Sequence, residues 1–261
     1  MTNKSIYFLF TVLYSTFCLG QQTLLRHPKI SPDGSKMAFS YYGDIWVYDF
    51  EKENTKRVTI HQAYESDPIW NEKGTAIAFA SNRKGNTNVF MVDAEGGAPS
   101  QLTYYPTTNT PTSWIGEEVV FTTNRVYKGP EWDAQIYTAN QNGGTPQRLL
   151  KAYGSMAAVS PDGNLIAFVK GACRISREDY SGSAQRDVWV YNTTTNTYNQ
   201  ITTSNKNDHS PAWDANGNLY FIGAESGRYN IYKQPLSSSG VPQGNKQQLT
   251  KLKTDGVRFF L

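Results

Sequence analysis

From residue 24 onward, apolar and polar positions alternate over short runs, and these runs recur five times in one order. Each repeat opens on a turn: Ser31-Pro32-Asp33-Gly34, Trp70 to Gly74, Trp114 to Glu117, Ser160-Pro161-Asp162-Gly163, and Trp213 to Gly217. A short apolar run with one phenylalanine follows, at Phe39, Phe79, Phe121, Phe168 and Phe221. The next run begins polar, β-branched, aromatic: Asp44-Ile45-Trp46, Asn88-Val89-Phe90, Gln135-Ile136-Tyr137, Asp187-Val188-Trp189 and Asn230-Ile231-Tyr232. A basic or amide residue before an apolar one closes the unit, as in Arg57-Val58-Thr59, Gln101-Leu102-Thr103, Arg148-Leu149-Leu150, Gln200-Ile201-Thr202 and Gln248-Leu249-Thr250. Starts of the third run lie 44, 47, 52 and 43 residues apart.

Alternating β-branched and aromatic positions predict strands, and Pro-Asp-Gly sets the backbone angles of a tight antiparallel turn. Asp93 to Gly97 and Asn140 to Gly144 predict the hairpins between third and fourth strands. No segment after residue 20 carries a helical apolar stripe. Four short strands per repeat predict an all-β fold, a β-propeller with five blades and the start of a sixth. The blades are expected at 24–62, 63–106, 107–153, 154–205 and 206–252, with 253–261 opening the sixth.

Composition narrows the function classes. A net charge of +3, spread along 261 residues, gives no electrostatic footprint for nucleic acid or an anionic membrane. Three His and two Cys, without CxxC or HxxxH spacing, leave no metal site to predict, and no cofactor is expected. Lys4, the apolar run Ile6–Phe17 and small residues at Cys18 and Gly20 read as a signal peptide over 1–20, cut before Gln21. The expected protein is exported, periplasmic or extracellular, with no membrane span after cleavage. Cys173 is then its single thiol.

Candidate chemistry is sparse. Asp208-His209-Ser210 holds the three residue types of a hydrolytic triad, but consecutive side chains on an extended segment are expected to diverge. The segment matches Ser66-Asp67-Pro68 in the repeat, so a structural turn is expected and no catalytic residue is assigned. His27 and His61 lie between blades without a visible partner. Asp33, Asp162, Asp44 and Asp187 recur with the repeat and read as scaffold hydrogen-bonders. Gly96-Gly97 and Gly143-Gly144 lack the helix a phosphate loop needs.

One feature breaks the period. The segment between second and third strands is extended in blades three and four, as Asn124–Asp133 and Gly171–Arg186. Both join the same pair of strands and therefore emerge on the same end of adjacent blades. Arg125, Lys128, Trp132, Arg174, Arg177 and Tyr180 on them suit contact with a peptide, its carboxylate or a partner domain. The alternative is a pair of long surface loops without function.

Ser-Pro-Asp-Gly, an Ala-Phe strand and an Asp-Ile-Trp strand resemble the WD-like repeats of TolB-type propellers. The whole arrangement, from Arg26-His27-Pro28 through Gly43-Asp44-Ile45-Trp46 and Asp67-Pro68-Ile69-Trp70, is similar to the N-terminal six-bladed propeller of tricorn protease and its secreted bacterial homologues. That resemblance implies a noncatalytic propeller guiding peptides or organising domains in an exported serine peptidase, whose catalytic residues lie outside this chain. Its partners would be peptides or downstream domains of the same polypeptide, with a homo-oligomer left open. The alternative is a TolB-like exported module that binds proteins and catalyses nothing.

Overall fold

The computed structural model describes residues 25–125 and 134–253. The expected signal peptide and Thr254–Leu261 of the expected sixth blade lie outside the described residues, as do Lys128 and Trp132. Twenty strands form five antiparallel sheets of four, and no helix occurs among the described residues. Blade 1 comprises β1 (Arg26–Ile30), β2 (Lys36–Tyr41), β3 (Asp44–Asp49) and β4 (Asn54–Arg57). Blade 2 comprises β5 (Glu65–Trp70), β6 (Ala76–Lys84), β7 (Asn86–Asp93) and β8 (Ser100–Gln101). Blade 3 holds β9 (Asn109–Ile115), β10 (Glu118–Thr123), β11 (Gln135–Asn140) and β12 (Gln147–Tyr153). Blade 4 holds β13 (Ser155–Val159), β14 (Leu165–Lys170), β15 (Asp187–Asn192) and β16 (Thr197–Gln200). Blade 5 holds β17 (Asp208–Trp213), β18 (Leu219–Gly223), β19 (Asn230–Gln234) and β20 (Gln247–Gln248). The fold is therefore an all-β propeller with five four-stranded blades.

Each blade follows the repeated pattern for a physical reason. In the Ser-Pro-Asp-Gly turns, Ser31 and Ser160 donate to Asp33 and Asp162 at 2.6 Å, and both hydroxyls accept a backbone N–H five residues on. The Ser31 hydroxyl, with Ser35, holds the Asp33 carboxyl down at about 2. Gly34 and Gly163 supply φ values of 75° and 74° that other residues adopt at a cost. The closing threonine does matching work. Thr59, Thr103, Thr202 and Thr250 each accept the N–H of the second residue of the predicted third run, at 2.9 Å. Polar ends of neighbouring strands are thereby satisfied inside the sheet.

Apolar faces stack blade on blade. Ala38, Ile45 and Val47 of blade 1 meet Trp70, Ile77, Phe79 and Phe90 of blade 2 in one core cluster. Leu165, Val188 and Val190 of blade 4 meet Leu219, Phe221 and Tyr232 of blade 5 in another. Phe79, Phe121, Phe168 and Phe221 are at most 1% exposed, and each such ring is worth about 1.5–3 kcal/mol of burial. The first strands are innermost, with β1 against β5, β5 against β9, β9 against β13 and β13 against β17. Indole N–H groups stitch two of these seams: Trp70 donates to Lys29 O at 2.9 Å and Trp213 to Ala158 O at 3.0 Å. Burial of this face varies between blades: Ile77, Phe90 and Val92 of blade 2 are buried against blade 1, whereas the register-equivalent Met37, Trp46 and Tyr48 of blade 1 and Trp189 and Tyr191 of blade 4 are half-buried.

The innermost strands share a kink. His27, Asp67, Met156 and Ser210 occupy the same position in four blades, all with φ between 50° and 55° and all beside a register shift. Four residue types in one left-handed conformation mark it as a property of the fold. Prolines follow three of them (Pro28, Pro68, Pro211), tolerated because an innermost strand has one unpaired edge.

Candidate functional site

Alternation of antiparallel strands sorts the connections onto two ends of the propeller. One end carries the turns between second and third strands and the crossings from each blade to the next. The other carries the Ser-Pro-Asp-Gly turns and the hairpins between third and fourth strands. The crossing end concentrates exposed aromatic and apolar side chains: Tyr42, Ile60, Tyr64, Tyr104, Tyr105 and Tyr153. Ile30, Phe50 and Val241 are their counterparts on the opposite end. Carboxylates on the crossing end are engaged: Arg57 holds Asp44, Arg83 holds Glu65, Arg228 holds Glu178 and Lys206 holds Asp179. The opposite end instead collects turn acids such as Asp33, Glu51, Glu53, Glu72 and Asp93.

The residues singled out from sequence are placed differently from one another. Arg125 is engaged inside blade 3. Its guanidinium carbon lies 4.8, 5.3 and 4.7 Å from the ring centroids of Tyr105, Phe121 and Tyr137, and it donates to Asn109 Oδ1 at 3.1 Å. Arg83 does the same in blade 2, against Phe79 and Phe90, while pairing with the fully buried Glu65. The recurring signal was the pair Asn82-Arg83 and Asn124-Arg125 at the ends of second strands. Arg174 and Arg177 are exposed, and Arg177 covers the Tyr180 ring at 4.5 Å.

The segment 171–186 folds over onto blade 5. Arg186 N donates to Asn207 Oδ1 at 2.9 Å, and Asn207 Nδ2 donates to Arg177 O and reaches Cys173 Sγ at 3.4 Å. Lys206–Asp179 at 3.0 Å and Arg228–Glu178 at 3.3 Å fasten its rim. This strap buries its own Cys173 together with Asn207, His209 and Tyr229. His209 and Tyr229 meet edge to face at 4.7 Å.

Asp208-His209-Ser210 departs from expectation in one respect. His209 Nδ1 and Ser210 Oγ lie 2.8 Å apart, so these side chains meet where divergence was expected. Burial and the Arg186 charge hold the imidazole down at about 3, which leaves it neutral and weakly basic. The Asp208 carboxyl accepts from Ser204 Oγ at 3.1 Å, and burial pushes it up to about 7. A relay needs the acid on the imidazole, and here the acid bonds elsewhere.

Sequence reasoning missed a cleft on the crossing end. A hollow of about 480 Å³ lies between the β2–β3 turn and the blade 1-to-2 crossing, lined by Arg26, Tyr41, Tyr42, His61, Gln62 and Tyr64. Tyr42 and Gly43 form its lip, with φ values of 48° and 83°. These are the signs of a two-residue type I′ hairpin, which ordinarily takes Asn-Gly or Asp-Gly.

A family model described as the tricorn protease N-terminal β-propeller domain matches residues 22–260. A tricorn protease homolog of Saccharolobus solfataricus is 21% identical over 216 residues, covering 80% of this chain and 20% of that protein. The Tol-Pal system protein TolB of Helicobacter hepaticus is 24% identical over 176 residues, covering 62% of this chain and 42% of that one. Among solved structures, tricorn protease superposes with a TM-score of 0.73 at 16% identity, over 88% of this chain and 23% of the other. The chain thus spans less than half the length of each of these relatives. No helix among the described residues is long and apolar enough to cross a membrane.

Proposed function

The chain belongs to the tricorn protease N-terminal β-propeller family, and from that premise we propose that it is the noncatalytic propeller of an exported, tricorn-like serine peptidase. It admits or holds peptides for a catalytic domain carried elsewhere in the parent protein. The observation that supports this reading is the asymmetry of its two ends: exposed tyrosines, spare cations and the blade 4 strap gather on the crossing end. Arg174, Arg177 and Tyr180 on the strap, with Lys128 and Trp132, contact peptide or a downstream domain there. The test is peptide turnover by the parent protein carrying Arg174→Glu and Arg177→Glu. Slower turnover with unchanged thermal stability supports the reading; unchanged turnover and domain assembly overturn the assignment of the strap.

The TolB likeness favours a second reading, an exported protein-binding module without a peptidase partner. A parent reading frame that encodes a serine peptidase domain decides for the first, and one that ends with the propeller decides for the second.

A further inference from the structure

Tyr42 is 81% exposed and sits in the left-handed region, where a residue with a β-carbon is strained. Such conformations cost about 1–3 kcal/mol and persist where surrounding contacts impose them. Nothing in the turn itself needs an aromatic ring: Asn would fit the same backbone with less strain. The contacts on either side are rigid. Glu65 N donates to Gly43 O at 2.9 Å, Tyr64 N donates to Asn82 Oδ1 at 2.9 Å, and Ala63 N donates to His61 Nδ1 at 3.0 Å. Tyr41 meets the Tyr42 ring edge-on at 4.4 Å, and its backbone carbonyl accepts the Trp46 indole N–H at 3.1 Å.

Electrostatics give the hollow a sign. With Nδ1 accepting from Ala63, a neutral His61 carries its proton on Nε2 and offers a donor. The carboxylates nearest the lip and the floor, Asp44 and Glu65, are already bound by Arg57 and Arg83. Arg26 makes no ion pair among the described residues. The hollow therefore presents two free donor groups, one of them a guanidinium, between three phenol rings. Guanidinium and imidazole donors suit a carboxylate, and the rings suit an apolar or aromatic side chain next to it.

We propose that this cleft binds an extended peptide through a carboxylate, with Arg26 and His61 as the donors and Tyr42 and Tyr64 holding the adjoining side chain. The inference rests on the reading that this propeller handles peptides and names where and by what chemistry it does so. The carboxylate comes from the peptide's C-terminus or from an acidic side chain, and both sources are separable.

The test titrates the chain calorimetrically with three peptides: acetyl-Ala-Ala-Leu-Phe as the free acid, its C-terminal amide, and the amide with Glu in place of the second Ala. Binding of the free acid at least about tenfold tighter than the plain amide identifies the terminus, and recovery by the Glu peptide identifies the side chain. Arg26→Ala is expected to erase the difference between acid and amide. Tyr42→Asn keeps the turn and relieves its strain, so it should weaken all binding about tenfold while the melting temperature holds or rises. Binding untouched by both variants overturns the cleft and leaves the peptide-handling reading standing, because peptides then bind elsewhere. Absence of binding at millimolar peptide overturns the cleft as well, and the parent protein's turnover assay judges the broader reading separately.

Discussion

Asp208 and His209 are chain neighbours whose ionisations are driven in opposite directions by the same burial, the acid up to about 7 and the base down to about 3. Unfolded, they titrate near 3.8 and 6.5. From about pH 4 to 6.5 the native chain holds one proton on Asp208 and the unfolded chain one on His209, so the two slopes cancel. The raised acid alone makes stability fall as pH rises through that window, and the depressed base alone makes it rise. With His209→Gln stability should therefore fall as pH rises from about 4 to 7, and with Asp208→Asn it should climb as pH rises from about 3 to 6.5, each by roughly 4–5 kcal/mol at most. Urea unfolding across pH measures both. Profiles parallel to wild type would refute the compensation.

Arg83 and Arg125 occupy the same place in successive blades but hold different partners. Arg83→Ala leaves the buried Glu65 without its countercharge, an effect of about 3–5 kcal/mol. Arg125→Ala loses ring contacts and one bond to a neutral amide, roughly 1–2 kcal/mol. The exposed Arg174→Ala should change stability by less than about 0.5 kcal/mol. Urea midpoints should rank in that order.

The indole stitches lie on separate seams. Trp70→Phe removes the bond to Lys29 and Trp213→Phe the bond to Ala158, each costing about 1 kcal/mol of hydrogen bonding beyond any loss of contact area. Sharing no partner, they should add in the double variant within about 0.5 kcal/mol. A clear excess or shortfall in the double variant's midpoint would show that the seams communicate.

Much of this was legible because turn chemistry and the strand period act locally. Ser31 and Asp33, or Thr59 and Ile45, make their bonds within one blade, so the residues that form an element also mark it. The left-handed positions were hidden because His27, Asp67, Met156 and Ser210 share a place and no chemistry. Tyr42 carries no turn signal in the sequence, and only the pairing of Tyr41 with Asp44 puts it in a two-residue turn. The strap was illegible for the opposite reason: its partners, Asn207 and Arg228, lie on the next blade. Arg125, read from sequence as a surface contact, shows what length alone conceals, since the second residue of the extended segment packs against the rings of its own blade.

Blade 1 has one face against blade 2 and its other face only half-covered. Local opening is easiest where apolar contacts are fewest. Hydrogen exchange measured by mass spectrometry should find the amides of β2 and β3 exchanging faster than those of β6 and β7. Equal protection in the two blades would mean that the half-covered face contributes nothing to local stability.

The strap also leaves a mark that heredity should preserve. Asn207 is fully buried, and both ends of its amide are spent on residues 173, 177 and 186 of the strap. Without those partners a buried amide there is a liability, and without that amide the strap's backbone loses its anchor. In descendants of a common ancestor the length of the blade 4 insertion and the residue at position 207 should therefore change together, two distant stretches of chain drifting as one inherited unit.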